Sequence, residues 1–318
     1  MKKKKGLLIL IIMLAVFVGL YFVIDSGILE KTDDGDDTED EVPEIDLTIN
    51  AWTIPAVYIN VTNPSGTVTY DRVKSSTWYC VEYENYPLDT TKLEEMGAIL
   101  GQMTGTRRLA KNSDNMELFG LNDPIATVTF SSATGMSGKL IIGMQNQATT
   151  DYYVYYEGVD AIFMMASGYV DYFLSDLMSY VIVPEFPEIV LTDITSIEYT
   201  SESKSFTTQK LVSTNSAHSA LISGINSMYV SKVENPYAED LSVYGLDTPY
   251  IEATFRYESV EGGLSTGEKV FTLKVGDQDP EDDRYYYATI SDYPNTVYRL
   301  FYMSLEHLTE AVESFPVK

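Results

Sequence analysis

An internal duplication limits the folds open to this chain. Phe119-Gly120-Leu121-Asn122-Asp123-Pro124 returns 125 residues later as Tyr244-Gly245-Leu246-Asp247-Thr248-Pro249. The same offset carries Met96, Leu100 and Met103 onto Leu221, Ile225 and Met228, Arg107 onto Lys232, and Phe130 onto Phe255. Further on, Leu140-Ile141-Ile142-Gly143 matches Leu273-Lys274-Val275-Gly276, and Tyr152-Tyr153-Val154-Tyr155 matches Tyr285-Tyr286-Tyr287-Ala288, both at an offset of 133. Matches in a fixed order, interrupted by a single eight-residue insertion, mark two homologous units rather than a chance motif. The first unit is placed at 51–182 and the second at 194–318, with 183–193 between them. The linker begins Val183-Pro184-Glu185-Phe186-Pro187, short and stiff enough that the units are expected to pack together.

Each unit reads as α+β. Alternating and β-branched runs predict strands at Val57 to Val61, Thr67 to Val73 and Trp78 to Tyr83, with Ser196 to Tyr199 and Ser205 to Val212 in the second copy. The second copy shows no counterpart of the Trp78 strand. A helix is predicted from about Thr90 to Met103, and again from His218 to Tyr229, with Asp89 and Ser216 as N-caps. Leu93, Met96, Leu100 and Met103 step by three and four, which puts them on one buried stripe.

After the repeated Gly-Leu-x-x-Pro come four strands: Ile125 to Phe130, Lys139 to Ile142, Tyr152 to Tyr156 and Ala161 to Met165. The second copy repeats them at Tyr250 to Tyr257, Val270 to Val275, Arg284 to Ile290 and Thr296 to Leu300. Short helices near Tyr169 to Leu177 and Ser304 to Val312 close the two units. Strand runs with inserted helices, rather than strict alternation, imply a mainly antiparallel sheet. In the repeated turn Gly120 and Gly245 supply a positive φ, Pro124 and Pro249 stop helical continuation, and Leu121 and Leu246 plug the core beneath.

The amino terminus sets a location. Lys2 to Lys5 precede an unbroken apolar run from Leu7 to Ile24, and Glu30 to Asp46 is almost wholly acidic. A bilayer core needs about 20 apolar residues, so 7–24 is read as a transmembrane anchor, with the basic tail 1–6 in the cytoplasm and the body outside it. The run leaves through Tyr21-Phe22-Val23-Ile24-Asp25 with no small-x-small site, which argues against a cleaved signal peptide. Residues 25–50 are read as a self-repelling tether, too acidic and too poor in aromatics to fold.

A formal charge of −26 excludes nucleic acid as a partner, since a binder must neutralise phosphates. The single cysteine, Cys80, cannot form an internal disulfide and is read as a buried small hydrophobe. Two histidines, His218 and His307, lack metal-ligand spacing. Gly135-Met136-Ser137-Gly138-Lys139 misses the phosphate-loop pattern and reads as a hairpin turn. The five carboxylates of Asp277 to Asp283 read as a solvated turn, with calcium as the alternative. Asp123 and Asp247, the carboxylates an enzyme would use, sit beside a turn proline and suit capping. No catalytic, cofactor or metal residues are therefore assigned.

The tyrosines are the richest remaining feature, 25 in all. Tyr152, Tyr153 and Tyr155, and Tyr285, Tyr286 and Tyr287, must populate both faces of their strands, so some are expected to be exposed as a binding surface. The competing reading is cross-strand aromatic pairing.

The anchor, the Thr77-Trp78-Tyr79 strand, the amphipathic helix, Tyr/Phe-Gly-Leu-Asn/Asp-x-Pro, and the strands ending at Gly143 and Gly276 together resemble a bacterial domain-of-unknown-function family, numbered 4340. The likeness runs from about Ala56 to Leu177 and from Ile194 to Val312. It implies a membrane-anchored, extracytoplasmic accessory protein, not an enzyme, with ABC transporter subunits as partners. It transfers no catalytic residues. A cell-envelope glycan binder using the tyrosine strands is the alternative expectation.

Overall fold

The computed structural model describes residues 46–109, 113–187, 189–209, 215–261 and 264–315. The predicted anchor at 7–24 and nearly all of the predicted tether lie outside them. Among the described residues no helix is long and apolar enough to cross a membrane.

The first unit runs β1 (Thr48–Ala51), β2 (Ala56–Asn63), β3 (Gly66–Asp71), β4 (Tyr79–Cys80), α1 (Thr90–Gly101), β5 (Gln102–Thr104), β6 (Arg107–Arg108), β7 (Ala126–Ser132), β8 (Ser137–Gln145), β9 (Tyr152–Tyr156), β10 (Ile162–Met165) and α2 (Ser167–Leu174). The second runs β11 (Ile194–Ser201), β12 (Ser205–Gln209), α3 (Ser216–Asn226), β13 (Val230–Asn235), β14 (Ile251–Glu261), β15 (Leu264–Gln278), β16 (Tyr285–Ile290), β17 (Tyr293–Phe301) and α4 (Tyr302–Glu313).

The first sheet has the order β4-β3-β2-β7-β8-β9-β10-β6, and the second β12-β11-β14-β15-β16-β17-β13. Apart from β4 the two orders are superimposable strand for strand, and every ladder between described strands is antiparallel. The duplication read from the sequence is therefore a duplication of sheet topology. The insertion in the second copy lengthens the β14–β15 hairpin, whose ladder continues past Tyr257↔Lys269 to Glu261↔Leu264.

Periodicity accounts for the packing. Ala126, Val128, Phe130 and Ser132 alternate inward along β7. On α1, Leu93, Met96 and Leu100 are fully buried, and Asp89 caps the first turn by accepting from the backbone N–H groups of Thr91 and Lys92 at 3.1 and 3.3 Å. In the second copy Asn215, not Ser216, is the cap, accepting from Ala217 N at 2.9 Å, so the helix begins earlier and ends at Asn226. α4 is closed by Lys204, whose Nζ donates to the carbonyls of Val312, Glu313 and Phe315 at 2.6, 3.0 and 2.8 Å.

The units meet around a shared aromatic. Tyr86 packs against both hydrophobic cores, Leu88 bridges to Val181, and Phe186 from the linker sets its ring edge-on to Phe271 at 5.4 Å.

Several sequence expectations shift. Thr48 to Asn50, placed in the tether, belong to β1, which pairs with β5; Met103 belongs to β5 and not to the helix. The Trp78 strand shrinks to Tyr79–Cys80, because the preceding serines and Thr77 close a turn on themselves. Trp78 still reaches the core, at 5% exposure. The short edge strands β6 and β13 were not expected. β6 is two arginines, and Lys232 and Glu234 interrupt β13, which masks the strand pattern.

Cys80 is wholly buried. Burial, with its hydrogen bond to Glu82 at 3.4 Å, pushes the thiol up to about 11. Thiolate is the reactive form, so native protein at pH 8 should resist iodoacetamide, whereas denatured protein should take up one equivalent. Mass spectrometry of the two samples checks this, and rapid native labelling would contradict it.

Candidate functional site

The repeated turn and the strand it packs against form one unit of construction. In the first copy Ser113–Phe119 is a 3-10 helix ending in Gly120, at φ 69°. In the second Ser242–Tyr244 ends in Gly245, at φ 68°. Only glycine adopts this left-handed backbone without cost. Leu121 and Leu246 follow, 3% and 2% exposed, each bonded back into its turn: Leu121 N to Met116 O at 2.9 Å and Leu246 N to Leu241 O at 3.1 Å. Pro124 and Pro249 then lead into β7 and β14.

The second glycine of each motif sits opposite. A Cβ on Gly143 would lie 2.2 Å from the carbonyl oxygen of Phe119, and one on Gly276 2.1 Å from that of Tyr244. Turn and strand backbones touch there, and no side chain fits between them. The short motif and the distant Ile-Gly or Val-Gly are thus two halves of one contact.

The tyrosine strands complete the site, in a register that differs from the sequence alignment. Ile142 pairs Val154 in the first sheet, and its counterpart Val275 pairs Ala288 in the second. Tyr153 therefore corresponds to Tyr287 and Tyr152 to Tyr286, an offset of 134. Side-chain contacts agree. Phe119 lies on Tyr153 at 4.6 Å between ring centroids, and Tyr244 on Tyr287 at 5.0 Å. Asn146 donates to the Tyr153 hydroxyl at 2.7 Å, and Tyr287 donates to Asp279 at 3.1 Å.

None of the tyrosines singled out from sequence is fully exposed. Tyr152, Tyr153, Tyr155, Tyr285 and Tyr286 are half-buried, and Tyr287 is buried. Tyr286 stacks on Tyr250, and Tyr285 leans on Phe301. Four of the six, Tyr153, Tyr285, Tyr286 and Tyr287, are engaged in ring contacts, and all but Tyr287 keep part of their surface open.

Around the shared skeleton the two copies differ in chemistry. In the first the positions are Asn146 and Met164. In the second they are Asp279 and Arg299. The Arg299 guanidinium lies 2.8 Å from Asp279 and 2.6 Å from Glu234. Asp279 is 2% exposed, so part of the acidic turn is core rather than solvated loop. Burial, and then the hydrogen bond to Asp279, push the Tyr287 phenol up to about 12. Burial opposes the charge on Arg299, but Glu234 and Asp279 hold its pKa above the ordinary value.

Elsewhere in the turn, Asp282 is held down to about 2 by its hydrogen bonds to Arg284. Among the described residues no group of three or more His, Cys, Asp and Glu side chains is arranged to hold a metal ion. His218 stacks on Phe315 and His307 is exposed on α4, so the two do not converge. Asp123 is exposed, and Asp247 caps the N–H of its neighbour Thr248.

Sequence reasoning missed the ionic cluster, because positions 234, 279 and 299 lie on three separate elements. It also missed Leu118 and Val243, one residue before the ring of each turn. They are 125 apart and equally open, at 70% and 67% exposure.

The model of the family described as "Domain of unknown function (DUF4340)" matches residues 78–216 and again 209–318. Its two matches meet between β12 and α3, although the β11–β12 hairpin belongs by pairing to the second sheet. Comparison with curated proteins and with solved structures finds no match to either.

Proposed function

From the premise that this chain belongs to the DUF4340 family, we propose that it is a membrane-anchored, extracytoplasmic binding or scaffold protein that works as an accessory subunit beside an ABC transporter. The observation that carries the reading is the pair Leu118 and Val243. A single exposed aliphatic side chain needs no explanation. Two, at equivalent places on equivalent rigid turns, read as a repeated docking contact. The turns suit that role because their backbones are locked by the glycine contact, and the N–H groups of Gly120, Leu121, Gly245 and Leu246 are bonded within them. Arg299 is held by two carboxylates, Asp279 and Glu234, in a closed ion-pair cluster, which favours scaffolding over catalysis.

The basic tail and apolar run at 1–24 support a body outside the cytoplasm, where transporter loops and cell-wall material would be the available partners. The glycan alternative needs open tyrosine faces, and the ring contacts of Tyr153, Tyr285 and Tyr286 do not favour it.

The test is in-cell crosslinking of the full-length protein, followed by affinity purification and mass spectrometry. ABC permease and ATPase subunits should be recovered with the natural sequence and depleted several-fold with Leu118→Asp plus Val243→Asp. Recovery of wall material alone, or of the same partners with the double variant, would remove the turns from the account.

A further inference from the structure

A cleft of about 270 Å³ opens on the first unit, away from the turn. Five tyrosines line it: Tyr70, Tyr83, Tyr86, Tyr172 and Tyr180. Tyr83 and Tyr86 are stacked, with ring centroids 4.8 Å apart, and Tyr70 tilts against Tyr180 at 5.4 Å. Tyr83 is half-exposed at the rim. The Tyr172 and Tyr180 hydroxyls are committed, to Glu95 and to the Tyr172 carbonyl respectively.

Tyr70 is different. It is only 2% exposed, and its hydroxyl has no hydrogen-bond partner among the described residues. That hydroxyl is also not among the polar atoms sealed from solvent, so it faces the cleft.

Asp176 supplies the only charged side chain in the lining. Its Oδ1 accepts from Ser179 N and Oγ at 3.0 and 2.9 Å, and Oδ2 has no protein partner among the described residues. Burial above all, and then the negative charges of Glu82 and Asp176, oppose ionisation of Tyr70.

This arrangement sorts ligands by chemistry. An anion would meet no cationic side chain in the lining. A divalent metal ion wants six or more oxygen ligands, and the lining offers one carboxylate. A sugar needs paired donors and acceptors beside the rings. The Asn63 amide is already used, donating to Phe173 O and Ser175 O, while its oxygen accepts from Ser65 N. A cation with an apolar skin suits what is left, since tyrosine faces attract positive charge and a neighbouring carboxylate completes the counter-charge.

We propose that this cleft is a binding site for a small organic ammonium ion of the quaternary alkylammonium class, with its head against the tyrosine faces and Asp176 as counter-ion. The site is separate from the turns and does not depend on the transporter reading.

Full-length protein in detergent, titrated with choline chloride by calorimetry, tests it. The control ligands are 3,3-dimethylbutan-1-ol, an uncharged isostere, and N-acetylglucosamine. Choline should bind saturably and about tenfold or more tighter than the isostere. Asp176→Asn, which keeps the Ser179 acceptor, and Tyr83→Ala at the rim should each weaken choline by about tenfold, with the thermal midpoint unchanged. Equal affinity for choline and its isostere, preference for the sugar, or choline binding indifferent to both variants would overturn the proposal.

Discussion

Arg299→Met should destabilise the protein by about 3–5 kcal/mol, the range for removing one member of a buried ion pair. The side chain of Asp279 is fully buried against Arg299, so the substitution leaves a carboxylate with neither cation nor water. The first unit shows how the same skeleton manages without charge, since it carries Met164 and Asn146 at these positions and keeps the tyrosine hydroxyl bonded. Arg299→Met combined with Asp279→Asn should therefore recover most of the loss. Glu234 is 25% exposed and can be solvated alone. Denaturant unfolding of the natural sequence, both single variants and the double variant gives the coupling energy, expected at about 2 kcal/mol or more. Additive losses would mean that the cluster is not an interacting unit.

Gly276→Ala is the second large effect. The added methyl would sit 2.1 Å from the Tyr244 carbonyl oxygen, and the obstacle is backbone that cannot rotate away. Overpacking of this kind costs about 1–3 kcal/mol and occasionally more. The upper end is expected here, because relief requires parting β15 from its turn. At about 2–4 °C per kcal/mol for a body of this size, the midpoint should fall by roughly 6–12 °C. Gly143→Ala should act alike, with its methyl 2.2 Å from Phe119 O. Gly168→Ala is the control. It lies in α2 at an ordinary φ with open space around it, so alanine there should be neutral or mildly stabilising. Thermal unfolding separates the cases, and a tolerated Gly276→Ala would show that the contact is loose.

Much of this architecture is written in local pattern. The α1 stripe of Leu93, Met96 and Leu100, the alternation along β7 and the positive-φ glycines each follow from a period or a steric rule that acts within a few residues. What escaped is non-local or degenerate. The tyrosine runs align equally well at offsets of 133 and 134, because one tyrosine resembles the next. That single residue decides which tyrosine of one copy is matched with which of the other. It hid the equivalence of Tyr153 and Tyr287. β6 and β13 escaped because Arg107, Arg108, Lys232 and Glu234 do not look like strand. The ionic cluster escaped because its members meet only once the sheet is built. The Tyr70 cleft draws on β3, the loop at Tyr83 and Tyr86, and the chain after α2, which no window of sequence brings together.

The strand β1 has a mechanical consequence. Any tension arriving from the amino-terminal side enters the body at Asp46 and meets β1 before it meets either sheet. That strand is stapled at both ends: Gly105 N–H to Leu47 O at 2.8 Å, and the Asn50 amide to Leu100 O at 2.8 Å. Thr53 N bonds Gly101 O just beyond. A pull would thus pass first into the end of α1 and into β5, to which β1 is bonded, before it reaches the β2–β3 hairpin. Ile49 of β1 is itself buried in the first core and Trp52 lies on Phe130 at 5.1 Å, so β1 is a clamp through which load is shared with the packed body rather than borne by the chain alone.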